Sequence, residues 1–223
     1  MSVQHNSQQR MKQTMSSRPI DLSQLKCGAN TPPSKLGRVI LEAMRAVGQT
    51  QITLIGAAAL RQTLLAYMNA TAFCHEYLFE QHIVALPSFG EVVIEGSKRT
   101  TIVLQLRAVP QCPLVDQLRG AYHKDITAEH DSDPEVLSTD ILLTVTGEGE
   151  PLPCRLHTLS AGALNQAVKG IARTKTKLGE LHKPGATNYD LAVVFASNLE
   201  VMVGGHHTTK TTTVILPVVF DVG

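Results

Sequence analysis

The chain has 223 residues, of which 43% are hydrophobic and 17% are charged, and its formal net charge is +1. This composition supports one or two domains with a packed core and excludes a wholly disordered chain. No apolar run approaches the roughly 20 residues of a membrane helix, so no membrane partner is expected, and we expect no secretory signal. The four cysteines lie far apart without a CxxC pair. We therefore expect reduced thiols in an intracellular protein, cytoplasmic or mitochondrial, and no zinc site.

The charge is distributed unevenly along the chain. Residues 110–150 contain nine acidic side chains, opposed only by Arg119 and Lys124, and the remainder of the chain is net basic. Such asymmetry is typical of proteins with an electrostatic partner. A solvated linker beside a mildly basic surface explains it equally well. Residues 1–20 are polar and contain no acidic residue, which predicts a disordered tail.

The first structured unit, residues 21–109, is predicted to have the element order β-α-β-α-β-β. After a short strand, apolar residues recur at helical spacing from Leu36 to Val47. The β-branched stretch QITLIG (51–56) predicts the next strand, and an apolar face predicts a second helix from Ala57. Alternating apolar residues on either side of GSKR predict a terminal hairpin. Helices that cover one face of a small sheet make this an α+β fold.

The second unit is predicted to be shorter. Residues 110–139 lack periodicity and include the run HDSDPE, which predicts an acidic linker. The unit then covers residues 140–223 and opens with a strand, DILLTVTG (140–147). A second strand, PCRLHTLS (153–160), follows so closely that no first helix fits between the two. A helix and the strands YDLAVVFA, LEVMVGG and TTTVILPVVFD complete the unit, and Pro217 places the last strand at an edge or a bulge.

Three blocks of the first unit recur in the same order in the second. GAAALRQTLL (56–65) aligns with SAGALNQAVK (160–169), EVVIEG (91–96) with EVMVGG (200–205), and KRTTIVL (98–104) with KTTTVIL (210–216). The blocks predict two copies of one sheet-and-helix unit. The second copy is degenerate in this interpretation because it lacks the first helix.

The blocks SAGALNQAVKGIA (160–172), IGAAALRQTL (55–64) and ALPSFGEVVIEGSKRTTIVLQL (85–106) resemble the stage V sporulation protein S family, whose fold is of the Alba type. The resemblance implies two Alba-like units, packed as an intramolecular pseudo-dimer or assembled as a homodimer. It also implies nucleic-acid binding and no catalysis. In the Alba type, basic residues near the first helix start and on the long hairpin meet phosphates.

Nine basic residues are candidates for nucleic-acid binding. The positions that match the first helix and the hairpins are Lys35, Arg38, Lys98, Arg99 and Lys210. The end of the second unit's helix adds Lys169, Arg173, Lys175 and Lys177. Such clusters attract a polyanion by Coulomb steering and counterion release. Solvated helix faces and turns explain the same residues equally well.

No catalytic residue, metal site or cofactor is predicted. His206 and His207 are adjacent on a strand and point to opposite faces, and GEGEP lacks the Lys and Ser/Thr of a phosphate loop. Two functions stay open: binding of RNA or DNA, and a structural or assembly subunit of a larger protein or ribonucleoprotein complex that keeps the fold without nucleic acid. In the first, the acidic linker would fold over a basic face and compete with the polyanion.

Overall fold

The computed structural model describes residues 21–77, 81–110, 124–146, 154–181, 189–203 and 206–221. The tail predicted at 1–20 lies outside them. The first half of the chain contains β1 (Gln24–Cys27), α1 (Pro33–Val47), β2 (Gln49–Leu54), α2 (Gly56–Tyr77), β3 (Gln81–Ile94) and β4 (Ser97–Pro110). The second half contains β5 (Lys124–Ala128), α3 (Pro134–Thr146), β6 (Cys154–Thr158), α4 (Ala161–Leu181), β7 (Tyr189–Val203) and β8 (His206–Asp221).

The order β-α-β-α-β-β therefore occurs twice, and the strands form one eight-stranded sheet in the order β1-β2-β4-β3-β7-β8-β6-β5. When β1, β2, β3 and β4 are exchanged with β5, β6, β7 and β8, the strand order is the same but reads from the opposite edge of the sheet. The pairing directions also repeat, because β1–β2 and β5–β6 are parallel and the other pairs within each half are antiparallel. The halves join where β3 meets β7 in antiparallel pairing, at Ala85 and Val193.

The second half contains a first helix, α3, although the sequence predicted that this helix is missing. Residues 140–146 belong to α3 and not to a strand, and the predicted linker at 110–139 contains β5 and the start of α3. Strand propensity misled the prediction, since tertiary packing overrides propensity. Leu137, Ile141 and Val145 recur at helical spacing and are buried.

The β-branched threonines of α3 are also accommodated within the helix. The hydroxyl groups of Thr139, Thr144 and Thr146 each donate to the carbonyl oxygen four residues earlier, at 2.7–3.1 Å. This local bonding satisfies side chains that otherwise favour strands. The second copy is therefore complete in its element order, and the predicted absence of its first helix is wrong.

The core lies between the helices and one face of the sheet. Tyr67 of α2, predicted from its apolar face to be a core residue, is 1% exposed, and its hydroxyl donates to the carbonyl oxygen of Ile83. Its ring meets Phe195 of β7 edge-on, with centroids 5.1 Å apart. Because one ring comes from each half, this contact ties the halves together. No helix of the described part of the chain is long and apolar enough to cross a membrane.

The first hairpin extends beyond the body of the sheet. Leu54, the last residue of β2, pairs with Ile102, and β4 continues past it toward the turn. The turn is the two-residue loop Glu95–Gly96, with φ of 50° and 78°, the positive values that a tight hairpin needs. Since β3 and β7 are antiparallel, the two hairpins extend from opposite ends of the sheet.

The prediction for Pro217 needs correction as well. Its strand, β8, lies inside the sheet between β7 and β6, and not at an edge. Pro217 pairs with Val193 of β7 but lies two residues beyond Ile215, the last β8 residue in the register with β6. Pro217, which has no N–H to donate, therefore lies beyond the described pairing of β8 with β6.

Candidate nucleic-acid interface

The loop between β1 and α1 is fixed by its own hydrogen bonds. The backbone N–H of Gly28 donates to Thr31 Oγ1 at 2.9 Å, and the N–H of Thr31 donates to the carbonyl oxygen of Gly28 at 3.1 Å. Gln62 of α2 adds a bond from Nε2 to the carbonyl oxygen of Ala29 at 3.3 Å. Gln62 is one of the residues repeated between the halves, and its role here is to hold the chain that leads into α1.

Lys35 and Arg38 lie on the exposed side of α1, close to its start. Within the described ranges, neither forms an ion pair. The first turn of α1 contains no acidic residue, so the positive end of the helix dipole is not offset there. Two exposed cations beside that helix end suit an anionic partner.

Lys98 and Arg99 lie on the β4 side of the first hairpin tip, after the turn and not within it. Both are exposed, and Lys98 Nζ is 3.3 Å from Glu91 Oε2. The two side chains of this pair are 76% and 70% exposed, so the pair is weak and Lys98 can exchange partners. The hairpin leaves the sheet at the end where β2 stops, the same end at which the chain leaves β1 toward α1.

The predicted cluster on α4 is largely neutralised by acidic residues of its own half. Arg173 Nη1 is 2.7 Å from Glu135 Oε2, and Lys177 contacts the other oxygen of the same carboxylate. Hydrogen bonds from Lys177 and then Arg173 lower the pKa of Glu135 below its ordinary value of 4.5. Lys175 Nζ is 3.1 Å from Asp190 Oδ1. The fourth member, Lys169, is half-buried. These residues lie together, but they do not offer the free charge that the sequence indicated.

Lys210 does not occupy the position of Lys98. It lies on β8 opposite Leu199, whereas the residues next to the second turn are Val203 and His206. Lys98 lies one residue past the start of β4, but Lys210 lies four residues past the start of β8. The four first-half residues are therefore brought to one end of the sheet, and the second-half candidates do not join them.

The acidic run HDSDPE begins in the loop before α3, which corresponds to the loop before α1 in the first half. The N–H of Glu129 donates to Ser132 Oγ at 2.8 Å, and the N–H of Ser132 donates to the carbonyl oxygen of Glu129 at 3.3 Å. Gln166 binds the carbonyl oxygen of His130 at 3.2 Å, as Gln62 binds Ala29. These bonds contradict the idea of a linker free to fold over a basic face, at least from residue 124 onward.

Sequence reasoning missed the helix start in this run, although a signal was present. Asp133 accepts a hydrogen bond from the N–H of Glu135 at 2.8 Å, and Pro134 begins α3. An Asp followed by Pro and Glu is typical of a helix N-terminus, with the Asp as cap and the proline in the first position.

The outer faces of α1 and α3 differ at every matched exposed position. The match follows from the equivalent loops, which set Pro33 against Pro134. The face of α1 carries Lys35, Arg38, Glu42 and Arg45, and the matched face of α3 carries Val136, Thr139, Leu143 and Thr146. Sequence reasoning could not find this substitution, because it had placed α3 in a linker and a strand.

Chemistry that would indicate an enzyme is sparse in the described part of the chain. No group of three or more His, Cys, Asp or Glu side chains that could hold a metal is found there. Burial raises the pKa of the Cys154 thiol to about 12, which keeps it protonated at neutral pH. His157 Nε2 lies 3.0 Å from Asp125 Oδ1 on the neighbouring strand, and we assign no nucleophile to this pair.

Residues 23–109 match the family model of stage V sporulation protein S. No curated protein matches the chain significantly. The matched segment covers β1 to β4 almost completely and includes the four basic residues at the end of the sheet, while the second half lies outside it. The first half of this chain is thus similar to the stage V sporulation protein S family over residues 23–109.

Proposed function

We propose that the protein binds nucleic acid, RNA or DNA, without catalysing a reaction, and that Lys35, Arg38, Lys98 and Arg99 contact the phosphates. The observation that carries the proposal is their common location. The start of α1 and the first hairpin lie at the same end of the sheet, and Lys35 and Arg38 have no ion pair within the described residues. Such a surface gains affinity by releasing the counterions condensed on a polyanion.

The same features favour backbone contacts over base reading. The chain contains no Trp and only nine Phe and Tyr residues, so few aromatic side chains are available to stack on the bases of a single strand. Phosphate contacts fix the position of a protein on its ligand but carry no sequence information. We therefore propose weak sequence preference and a steep dependence on salt. The resemblance of the first half to an Alba-type family supports this proposal.

A fluorescence anisotropy titration tests the proposal. Duplex DNA, duplex RNA and single-stranded RNA of equal length are titrated at several salt concentrations. K35E/R38E should weaken binding at least tenfold at low salt and reduce the slope of log K against log salt by about 2. Lys124→Glu is the matched control, because Lys124 is also exposed but lies at the start of β5, the strand at the opposite edge of the sheet. Absence of binding at low salt by the unmodified protein would overturn the proposal.

A structural or assembly role is the second candidate. The observation that favours it is α3, where two large apolar residues, Val136 and Leu143, are 58% and 63% exposed. The paired cluster on α4 favours it as well, since Arg173, Lys175 and Lys177 each lie beside a carboxylate of the second half. Recovery of stable protein partners after nuclease treatment would support this role, and a protein that stays monomeric and unpartnered would contradict it.

In both functions we propose that the halves act as an intramolecular pseudo-dimer. The repeated sheet order and the contact between Tyr67 and Phe195 support this arrangement. Single-copy relatives would bury the same surface between two subunits.

A further inference from the structure

The two ends of the sheet carry opposite charge. We define the basic end by Lys35, Arg38, Lys98 and Arg99. We define the acidic end by the exposed carboxylates Glu129, Asp131 and Asp133 before α3, together with the apolar residues Val136 and Leu143 on its outer face. These surfaces face away from each other, because β2 is parallel to β3, β6 is parallel to β7, and β3 runs antiparallel to β7. One molecule therefore cannot bring its own two ends together.

The backbones at the two ends have the same construction. Each loop is closed by the same pair of hydrogen bonds, between Gly28 and Thr31 in the first half and between Glu129 and Ser132 in the second. Each leads into an outer helix that starts with proline. Contacts between two copies can thus place α1 against α1, α3 against α3, or α1 against α3 with closely similar backbone geometry.

Charge separates these three arrangements. A contact between two α1 helices through their starts would place Lys35 and Arg38 against their own copies, and a contact between two α3 helices through their starts would bring Glu129 and Asp131 together. Like charges at close range oppose association and therefore disfavour both arrangements. The mixed contact is the one that pairs cations with carboxylates.

The mixed contact also covers the apolar residues of α3. Val136 and Leu143 are seven residues apart and lie on one side of the helix, where α1 has Lys35 and Glu42. The aliphatic stem of a lysine packs well on such residues while its charged group reaches a carboxylate. We propose that a second copy of this chain docks its basic end on the acidic end of the first, with α1 of one copy against α3 of the next.

Such a contact is heterologous and leaves one basic and one acidic end free after each addition. It therefore produces open chains or closed rings, and not a symmetric dimer. Association should rise with protein concentration and fall with salt, because opposed charges drive it. The inference does not rest on nucleic-acid binding, and its test uses nuclease-treated protein.

Sedimentation velocity at low salt tests the proposal with two variants of the full chain. K35E/R38E reverses the two α1 charges of the basic end, and E129K/D131K reverses two carboxylates of the acidic end while leaving Asp133, which caps α3, unchanged. We expect the unmodified protein to form dimers and larger species at tens of micromolar, and each variant to lose them. Mixing the two variants should restore association, because each variant keeps one unaltered end and these two unaltered ends are complementary to each other.

Matched controls carry the same charge changes elsewhere. Lys124→Glu and Glu180→Lys alter exposed residues that belong to neither defined end, and association should be unchanged. Circular dichroism confirms that each variant is folded, and Val136→Asp, which leaves both charged sets intact, should also reduce association. An unmodified protein that stays monomeric at low salt would overturn the proposal. So would a symmetric dimer that survives both charge reversals, or an acidic end that binds only a different, cationic protein.

Discussion

The outer helices α1 and α3 hold equivalent places in the two halves, yet they have little in common on the solvent side. Their buried faces match closely, with Leu36, Ile40 and Met44 in α1 set against Leu137, Ile141 and Val145 in α3. Their exposed faces differ at all four matched positions, from charged to uncharged. Packing fixes the buried face because interiors are close-packed, and the exposed face is free to acquire a different partner.

The contact between helices differs in a second way. In the first half the glycine is on the outer helix, since a Cβ on Gly37 would lie 2.9 Å from the carbonyl oxygen of Ala66. In the second half it is on the inner helix, where a Cβ on Gly170 would lie 2.9 Å from the Cβ of Leu137. Thr174 there donates to the carbonyl oxygen of Ser138 at 3.2 Å. The two helices of each half therefore pack closely together, but a different residue makes room for the contact in each half.

The largest expected effect follows from exchanging these residues. Gly37→Ser gives the first half the residue found at the matched position of the second half, and Gly170→Ala makes the reverse exchange. Each should lower the free energy of unfolding by about 1–3 kcal/mol through overpacking. Urea denaturation followed by circular dichroism measures the change. Gly179→Ala is the control, because no atom lies within 4 Å of its added Cβ, and it should be neutral or stabilise by up to about 1 kcal/mol. Unchanged stability in both test variants would refute the close helix contact.

Exchanging the exposed faces should move the polyanion site. K35V/R38T gives α1 the residues of α3 and should weaken nucleic-acid binding about tenfold, or about 1.4 kcal/mol. V136K/T139R makes the reverse change and should raise the number of sites on a long duplex ligand. Isothermal titration calorimetry gives both affinity and stoichiometry. Equal affinity for K35V/R38T and the unmodified chain would rule out the helix start as a phosphate contact.

The loops should respond alike, in contrast to the helices. Thr31→Ala and Ser132→Ala each remove one hydrogen bond to a backbone N–H, at 2.9 Å and 2.8 Å. Each should cost about 0.5–1.5 kcal/mol in thermal or urea unfolding, and the two costs should be similar. A cost confined to one half would show that the two loops are not equivalent in energy.

The smallest expected effect concerns Glu135. Its pKa is lowered in the folded protein, so its stabilising contribution is present above the ordinary value of 4.5 and is lost as the pH falls through the lower folded value. The unfolding free energy of Glu135→Gln should therefore approach that of the unmodified protein below pH 4.5. NMR titration of the side-chain carboxyl measures the pKa directly. Because Gln releases Arg173 and Lys177, polyanion affinity should rise slightly, and a fall would contradict the proposed neutralisation.

Much of the first half could be predicted because its signals are local. The helical spacing from Leu36 to Val47 and the strand QITLIG gave elements within three residues of α1 and β2. The hairpin was also correct, although its turn is Glu95–Gly96 and Lys98 lies after it. The repeat around Gln62 and Gln166 pointed to real structure, since both side chains hold the loop before an outer helix.

The second half resisted prediction because its decisive interactions are not local. The stretch DILLTVTG is apolar and β-branched, and only burial against α4 makes it a helix. The ion pairs of Arg173 and Lys177 depend on Glu135, 38 and 42 residues away in sequence, so a count of lysines could not show that their charge is offset. The candidate site therefore stays a prediction in the first half, and its free charge was overestimated in the second.

The antiparallel meeting of β3 and β7 has a consequence for how the molecule behaves in an electric field. Two identical subunits joined by this contact would carry equal charge at both ends, and their dipole moments along the sheet would cancel. A single chain is free of that symmetry, and here one end is cationic and the other anionic. The described residues at the two ends therefore contribute a dipole along the sheet, and a highly charged surface would orient the molecule through it before contact.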